Sequence, residues 1–221
     1  MALAARYGLL AHMLDVSNAF ISSDLDKLNC MEILEGLQDF DPEVREGMIL
    51  ELRKSLYELC QSVNLWHRKI TSFLKQIGFQ LTTADLSVFI NNWGLIIVLY
   101  VDNIIIFGWN EKEINAVKQK LKKFHPMMDS GCVDKLLGIC FTWGKDGSIC
   151  LDQESYASQI LEEFGMANCK PSCTPISPSV QLSDDSSPCL ERGKHKLFWR
   201  LIDWLIFLIT ATWPDISFPV N

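Results

Sequence analysis

The sequence lacks an apolar run long enough to cross a membrane. Its most apolar stretch, residues 204–213, is about 10 residues long, whereas a membrane-spanning helix needs about 20. The first residues do not contain an apolar segment followed by a small-residue cleavage site, so no signal peptide is predicted. We therefore expect an intracellular protein that is not secreted and has no membrane partner.

The eight cysteines lack the two short-spaced pairs that zinc sites usually show, since Cys169 and Cys173 form the single pair of this kind. They are scattered through a long chain, and we predict that they are free thiols in a reducing compartment. A zinc site built from Cys169, Cys173, Cys189 and His195 remains an alternative interpretation.

The chain has enough apolar residues to build a core, because 48% of its 221 residues are hydrophobic. One or two folded domains are therefore expected. The net charge of −7 argues against a protein that coats itself in nucleic acid. The negative charge is concentrated in residues 24–51, where nine acidic residues outnumber Lys27 and Arg45.

Apolar residues spaced three and four apart predict amphipathic helices. These helices are expected at residues 65–77, 114–124, 152–165 and 197–212. The first has Trp66 and Ile70 on its apolar face, the second has its lysines on the side opposite the apolar stripe, and the third has Asp152 as its N-cap. The lysines of the second helix could hold a phosphate backbone, and a solvated helix face explains them equally well.

Residues 95–107 contain two strongly polar side chains, Asp102 and Asn103, in an otherwise β-branched, aliphatic and aromatic segment. This pattern predicts a buried hairpin with Asp102 and Asn103 as its two-residue turn, because both residue types tolerate positive φ. A second hairpin is predicted from residues 136–143 and 148–151. With the helices, these hairpins predict an α+β fold in which helices cover one face of an antiparallel sheet.

Asp15 follows a short predicted strand, and Asp102 lies at the tip of the hairpin. If these strands are neighbours, the two carboxylates converge. Divalent cations need oxygen ligands and offset the repulsion between carboxylates, so the pair is a candidate Mg²⁺ site. Two ions about 4 Å apart would stabilise the attacking and leaving oxygens of a phosphoryl displacement. Considered alone, Asp102 and Asn103 are explained more simply as an ordinary turn.

Five short motifs follow one another along the chain. They are Leu-Asp-Val-Ser-Asn-Ala-Phe at residues 14–20, Lys-Ser-Leu-Tyr-Glu-Leu-Cys-Gln at 54–61, Tyr-Val-Asp-Asn at 100–103, Leu-Leu-Gly-Ile at 136–139 and Trp-Pro-Asp-Ile at 213–216. In this order they resemble the reverse transcriptases of copia-type LTR retrotransposons, and the match extends over nearly the whole chain.

The resemblance implies the fold of a right-hand polymerase. Partial fingers and the palm would occupy residues 1–133, and the primer-grip hairpin with the first thumb helix would occupy residues 134–168. A linker rich in proline and serine would follow at residues 169–196. Residues 197–221 would be a truncated helix that leads toward a missing connection or ribonuclease H region.

The resemblance also implies roles for individual residues. The catalytic positions would be Asp15, Asp102 and Asn103, and two Mg²⁺ or Mn²⁺ ions would be bound by Asp15, Asp102 and the Val16 carbonyl. The nucleotide would be bound by Phe20, Gln61 and Tyr100, with the Phe20 ring excluding a 2′-hydroxyl. The primer grip would consist of Leu137 and Gly138, where close backbone approach favours glycine.

The implied partners are an RNA template, a DNA primer and deoxynucleoside triphosphates. Self-association through the apolar C-terminal helix is a further expectation. The protein would act in the cytoplasm, in a virus-like particle or in the nucleus.

The sequence departs from the family pattern in its charges. The family has a second aspartate where Asn103 stands, and losing that charge would slow the reaction roughly a hundredfold or more. The family usually has glycine, lysine and arginine where Glu58, Cys60 and Trp213 stand, and the basic fingers segment expected before Asp15 is missing. We therefore expect a fragment of an RNA-directed DNA polymerase with weak or lost activity. A working polymerase, and a dead relic that binds nucleic acid or protein, are the alternatives.

Overall fold

The computed structural model describes residues 1–41, 43, 45, 47–57, 59–172, 174 and 192–220. It confirms an α+β fold, because runs of antiparallel strands occur together with helices in one chain. Most of the predicted linker at residues 169–196 lies outside the described residues, as do Cys173 and Cys189 of the alternative zinc site. Residues 192–196 are described and belong to a helix, so the predicted linker boundary at residue 196 is wrong.

The helices and strands follow one another in a mixed order. The helices are α1 (Ala2–Tyr7), α2 (Leu37–Phe40), α3 (Ser62–Gln76), α4 (Glu111–Phe124), α5 (Glu154–Glu163), α6 (Arg192–Ala211) and α7 (Ser217–Val220). The strands are β1 (Leu10–Val16), β2 (Cys30–Glu32), β3 (Ile49–Glu51), β4 (Phe79–Leu81), β5 (Val88–Asn91), β6 (Ile96–Tyr100), β7 (Asn103–Gly108), β8 (Met127–Cys132), β9 (Lys135–Leu136), β10 (Ile139–Trp143) and β11 (Ile149–Asp152). The four amphipathic helices predicted from periodicity are confirmed as α3, α4, α5 and α6.

The chain divides into two compact units, Met1–Val133 and Asp134–Asn221. The sheet of the first unit has the strand order β4-β5-β6-β7-β1-β8, and each neighbouring pair is antiparallel. The central hairpin predicted at residues 95–107 is confirmed as β6 and β7. Strands β2 and β3 form a separate hairpin in the acidic region.

Helices α3 and α4 pack on one face of the first unit's sheet. Alternate strand residues, such as Ile104 and Ile106 of β7, share that face and are almost completely buried. They belong to one core with the apolar stripes of the two helices, which are Trp66, Ile70 and Leu74 of α3 and Ile114, Val117 and Leu121 of α4. The prediction that helices cover one face of the sheet holds for these two helices.

Lys118 of α4 corrects the prediction that the lysines of this helix lie opposite its apolar stripe. It follows Ile114 by four residues, so the helical repeat places both on the same face. The Lys118 side chain is 3% exposed, and its ammonium nitrogen lies 2.6 Å from a carboxylate oxygen of Asp129 in β8. Lys118 therefore belongs to the packed interface of α4 with the sheet.

The second unit contains a three-stranded sheet in the order β11-β10-β9 together with α5 and α6. The strand predicted at residues 136–143 is interrupted, because Leu137 and Gly138 have positive φ angles of 52° and 75° and form a turn between β9 and β10. Helix α6 packs on α5, with the Phe207 ring 5.0 Å from the Tyr156 ring.

Helix α5 begins one residue later than its predicted N-cap implies. Gln153 is the N-cap residue of α5, whereas Asp152 ends β11 and accepts a 3.2 Å hydrogen bond from the Glu154 backbone N–H through its side chain.

Among the described helices, none has the length and apolar character needed to span a membrane.

Ile70→Ala should lower the free energy of unfolding by about 2–5 kcal/mol, because Ile70 is completely buried and the substitution leaves a cavity. Equilibrium urea denaturation measures this change. Val63→Ala on the same helix is the matched control, since Val63 is 51% exposed and its truncation should cost no more than about 0.5 kcal/mol. Equal losses for the two variants would contradict the core face assigned to α3.

Candidate active site

Asp15 of β1 and Asn103 of β7 lie directly opposite each other in the sheet. Next to this pair, the Val16 backbone N–H donates a 2.8 Å hydrogen bond to the Asp102 carbonyl oxygen. The backbones of Asp15 and Asp102 therefore lie close together at one end of two neighbouring strands.

The Asp15 side chain lies on the face of the sheet that α3 and α4 do not cover. Its neighbours Leu14 and Val16 belong to the helix-covered core, and successive side chains of a strand alternate between the two faces. Asn103 shares the face of Asp15 because the two residues are cross-strand partners. Both residues are half-buried, so this strand end presents polar groups that solvent or a ligand can reach.

The turn of the central hairpin begins one residue earlier than predicted. Tyr100 pairs with Asn103, so the turn residues are Val101 and Asp102 rather than Asp102 and Asn103. Val101 has a φ angle of 56°, which a β-branched residue rarely adopts. Hydrogen bonds from distant residues, including the one from Val16 to Asp102, fix this turn against the local preference of the sequence.

Trp66 of α3 provides the second of these hydrogen bonds. Its indole N–H donates to the Val101 carbonyl oxygen at 3.0 Å, and its side chain is 3% exposed. The Trp66 ring also lies 5.5 Å from the ring of His125, whose Nε2 is 2.9 Å from the Ser17 carbonyl oxygen. Residues of α3 and of the end of α4 thus contact both segments that carry the aspartates.

The role of Trp66 was missed by the sequence analysis, which placed this residue only in the core. A buried indole N–H needs an acceptor, and this requirement was the available signal. Its acceptor is 35 residues away in sequence, so it could not be identified from the helical pattern alone.

Asn103 makes a hydrogen bond within the site. Its side-chain amide nitrogen donates to Oδ1 of Asp102 at 3.0 Å. An aspartate at this position would place a second negative charge beside Asp102 instead of a neutral donor. The amide therefore lowers the charge density of this strand end and engages one oxygen of Asp102.

The oxygen donors at this strand end fit a divalent cation. Asp15 and Asp102 supply carboxylate oxygens, the ligand type that Mg²⁺ and Mn²⁺ prefer. Within the described part of the chain, no group of three or more histidine, cysteine, aspartate or glutamate side chains is arranged to hold a metal ion. A cation at Asp15 and Asp102 would therefore also depend on backbone carbonyls and water.

Phe20 lies in a short 3₁₀ turn, Phe20–Ser22, that follows the end of β1. Its ring is 8% exposed and packs edge-on against Tyr57, with the ring centroids 5.1 Å apart. Lys69 of α3 donates a 2.6 Å hydrogen bond to the Ser22 carbonyl oxygen. Burial, together with the charge of nearby Lys54, lowers the pKa of the Lys69 ammonium.

Tyr57 and Lys69 were also missed as candidate site residues. Tyr57 lies inside the motif at residues 54–61, and the spacing of that motif did not show that it would contact Phe20. Lys69 lies outside the five motifs, so no sequence signal singled it out. The structure links both to the segment that follows Asp15.

The other predicted nucleotide-binding residues differ in their surroundings. Gln61 is at the N-cap position of α3 but makes no capping hydrogen bond through its side chain, and its amide nitrogen is buried without a hydrogen-bond partner among the described residues. Tyr100 is 48% exposed and pairs with Asn103. Tyr100 is thus beside the candidate catalytic residues.

The predicted primer-grip residues belong to the second unit. Leu137 and Gly138 form the turn between β9 and β10, and the Leu137 side chain is 47% exposed. A Cβ atom added to Gly138 would lie 3.3 Å from the Phe207 ring, and its φ of 75° favours glycine as well. The turn conformation accounts for Gly138 without reference to a ligand.

Most of the chain matches one protein family. Residues 1–178 match the family described as reverse transcriptase (RNA-dependent DNA polymerase). The matched range includes Asp15, Asp102 and the β9–β10 turn of the second unit.

Several curated relatives are transposon polyproteins. The retrovirus-related Pol polyprotein from transposon TNT 1-94 of Nicotiana tabacum is 31% identical over 230 residues, which cover 100% of this chain and 17% of that protein. The retrovirus-related Pol polyprotein from transposon RE1 of Arabidopsis thaliana is 31% identical over 211 residues, which cover 94% of this chain and 14% of that protein. The chain therefore spans a small part of these two relatives.

A shorter relative comes from yeast. The putative transposon Ty5-1 protein of Saccharomyces cerevisiae is 29% identical over 211 residues, which cover 94% of this chain and 67% of that protein. The similarity thus extends to plant and fungal transposon proteins.

Trp66→Phe should lower the free energy of unfolding by about 0.5–1.5 kcal/mol, because phenylalanine keeps an aromatic ring in the core but cannot donate to the Val101 carbonyl. Backbone amides of residues 101–103 should also exchange hydrogen faster, as measured by mass spectrometry. Trp93→Phe is the matched control, since Trp93 is 73% exposed. Unchanged exchange at the turn in Trp66→Phe would show that the indole does not hold it.

Proposed function

We propose that this chain, which belongs to the reverse transcriptases (RNA-dependent DNA polymerases) of copia-type retrotransposons, is a polymerase fragment with weak or lost activity. The observation that carries the proposal is the pairing of Asp15 with Asn103, which brings Asp15 and Asp102 to one end of the sheet. Carboxylates in this arrangement have the chemistry needed to bind the divalent cations of a nucleotidyl transfer.

The proposed architecture follows the two compact units. Residues 1–133 would be the palm with part of the fingers, and residues 134–168 would be the primer-grip hairpin with the first thumb helix. The linker would end before Arg192, where α6 begins, and α6 would lead toward further domains. The partial exposure of Asp15 and Asn103 supports this assignment, because a palm must leave its carboxylates accessible to substrate.

In the proposed mechanism, Asp15, Asp102 and the Val16 carbonyl would hold two Mg²⁺ or Mn²⁺ ions. Such ions stabilise the attacking and leaving oxygens of an in-line displacement at phosphorus. The protein contributes a backbone that is fixed before substrate arrives. Asp15 is held by pairing on both sides of β1, and Asp102 is held by the hydrogen bond from Val16 and by the neighbouring contact of Trp66 with Val101.

Asn103 is the reason to expect weak or lost activity. The site has one negative charge fewer than the family pattern, and the Asn103 amide occupies one oxygen of Asp102. Losing one preorganised electrostatic group typically lowers the rate about 100- to 1,000-fold. A catalytically dead relic that binds nucleic acid or a protein partner is therefore the alternative function.

The nucleotide would contact the segment that follows Asp15. Phe20 would lie against the sugar, Tyr100 and Gln61 would complete the pocket, and Lys69 is close enough to Ser22 to add positive charge to this region. The edge-on contact with Tyr57 limits the movement of the Phe20 ring, which supports a steric role for the ring. Leu137 and Gly138 would contact the primer.

The proposed partners are an RNA template, a DNA primer and deoxynucleoside triphosphates. Self-association through α6 is also proposed, because Leu197, Phe198 and Trp199 of this helix are each more than two-fifths exposed. The site of action would be intracellular, in the cytoplasm, in a virus-like particle or in the nucleus.

Asn103→Asp should increase primer extension on an RNA template roughly a hundredfold, because it restores the missing negative charge beside Asp102. Extension of a labelled DNA primer is measured with Mg²⁺ and with Mn²⁺. Asn92→Asp is the matched control, since it adds the same charge at an exposed position away from the site and should leave the rate unchanged. Asp15→Asn added to Asn103→Asp should abolish the gain.

The folded state of each variant is checked by circular dichroism. If folded Asn103→Asp fails to extend any primer, the polymerase proposal is wrong for this chain. RNA binding that falls steeply with added salt, without extension, would then support the alternative of a binding module.

Phe20→Ala, introduced into the Asn103→Asp variant, should raise the use of ribonucleotides relative to deoxynucleotides by about 10- to 100-fold, because removing the ring leaves room for a 2′-hydroxyl. The quantity to measure is the ratio of the two kcat/KM values, which does not depend on the folded fraction. Phe40→Ala is the control, since Phe40 is 89% exposed. An unchanged ratio would assign Phe20 to packing alone.

A further inference from the structure

A buried ammonium group links two strands of the first unit's sheet. The Nζ atom of Lys118 in α4 lies 2.6 Å from Asp129 Oδ1 in β8 and 2.8 Å from His12 Nδ1 in β1. The Lys118 side chain is 3% exposed, whereas the Asp129 side chain is 29% exposed. One helix residue therefore makes polar contacts with two adjacent strands at once.

The contact lies where the pairing of these strands is irregular. Met13 pairs with Gly131 and Leu14 pairs with Asp129, so Ser130 has no partner in β1. The Asp129 carboxylate accepts a 3.0 Å hydrogen bond from the Gly131 backbone N–H across this bulge. The group that binds Lys118 is thus the same group that closes the bulge.

The bulge determines the register in which β8 pairs with the Asp15 end of β1. After the irregularity, Asp15 pairs with Met128 and Val16 pairs with Met127, and the Ser17 backbone N–H donates to the Pro126 carbonyl oxygen. Removing the bulge would shift this part of β8 by one residue, and a one-residue shift turns every side chain to the other face. Asp129 would then turn away from α4.

We propose that Lys118 is a positioning residue for Asp15: by binding His12 and Asp129 together, it selects the bulged register of β8 that supports the aspartate end of β1. This proposal rests on the proposed function, because Asp15 matters to the chemistry only if the site binds divalent cations. Lys118 itself contacts neither substrate nor cation, since it lies on the helix-covered side of the sheet.

The charge of Lys118 is better explained by register than by stability. A buried ion pair contributes little net stability compared with well-packed apolar residues, because desolvation opposes the attraction between the charges. Fixing one register among several is the best-attested use of buried polar groups. By contrast, Lys122 is 31% exposed and lies 2.9 Å from the same carboxylate.

Hydrogen exchange tests the proposal directly. In Lys118→Met, backbone amides of residues 13–16 and 127–131 should exchange about 10- to 100-fold faster, because a charge-assisted contact to both strands is lost. Lys122→Met is the matched control on the same helix and should leave these rates within about twofold. Unchanged exchange in Lys118→Met, or equal acceleration in both variants, would overturn the proposal.

A double variant separates register from stability and remains informative if Lys118→Met folds poorly. Lys118→Met with Asp129→Leu replaces both charges by apolar groups, which should recover stability to urea. The exchange rates of residues 13–16 should stay high, because the acceptor that closes the bulge is also missing. Recovery of both stability and slow exchange would mean that the pair is merely structural.

A pH profile supplies a further readout. The Lys118 ammonium can donate only to a neutral His12, and burial together with the Lys118 charge lowers the pKa of His12, while Glu111 of α4 and Asp129 of β8 raise it. Because this pKa lies below the unfolded value of about 6.5, the contact is complete above pH 6.5 and is lost as the pH falls through the folded pKa. Exchange of residues 13–16, corrected for the intrinsic rate, should accelerate over that range.

His12→Gln should remove this acid-induced step, because glutamine accepts from the ammonium at any pH. Persistence of the step in His12→Gln would exclude His12 as its origin. The carboxyl of Asp129 does not titrate in this window. Partial burial opposes its ionisation, but hydrogen bonds from Lys118, Lys122 and Gly131 outweigh that effect and lower its pKa to about 2.

Binding of Mn²⁺, followed by electron paramagnetic resonance, distinguishes failure of this proposal from failure of the proposed function. If Asp15→Asn does not change Mn²⁺ binding, the proposed metal site is wrong, and the role of Lys118 for Asp15 is withdrawn with it. If Asp15→Asn weakens Mn²⁺ binding and Lys118→Met leaves both binding and exchange unchanged, the metal site stands and Lys118 is not a positioning residue.

Discussion

The antiparallel pairing of β1 with β7 is the constraint on which the candidate site depends. It places Asp15 opposite Asn103 and sets Val16 against the Asp102 carbonyl. Asp15 of β1 and Asp102 of the turn before β7 are single carboxylates, and neither alone could bind a divalent cation well. The chemistry therefore comes from long-range pairing, because residues separated by almost ninety positions must meet in one register.

Contacts from the helices stabilise this part of the sheet at two places where regular strand pairing is interrupted. One is the turn with a positive φ at Val101, which Trp66 holds from α3. The other is the bulge at Ser130, which Lys118 contacts from α4 through Asp129. Both helices thus combine an apolar stripe, which supplies burial, with one polar group that is aimed at an irregular backbone segment. Burial is not directional, so hydrogen bonds must specify these two places.

Periodicity predicted the helices, because burial of one face leaves a regular trace in the sequence. The apolar run at residues 95–107 predicted the central hairpin. It misplaced the hairpin turn by one residue, since Asp and Asn are good turn formers locally and the contacts that fix Val101 come from α3 and β1. Lys118 was predicted to lie opposite the apolar stripe of α4, although its spacing of four residues from Ile114 places it on the same face. The turn that interrupts the predicted strand at Leu137 could not be predicted from the sequence either, because leucine is not expected at positive φ. The family resemblance supplied the roles of the site residues, which neither composition nor spacing could assign.

Asparagine instead of aspartate at position 103 affects the proposed chemistry but not the fold. Asparagine and aspartate have nearly the same shape, and the pairing of residue 103 with Asp15 and Tyr100 uses only the backbone. The sheet therefore has no reason to change when the charge is lost. The amide even adds a hydrogen bond to Asp102 where a second carboxylate would repel it. The proposed binding of a cation would weaken when this charge is lost, because it depends on the negative charge that the fold does not need. A chain of this family can thus keep this sheet whether or not residue 103 carries a charge, and preservation of the fold is no measure of activity.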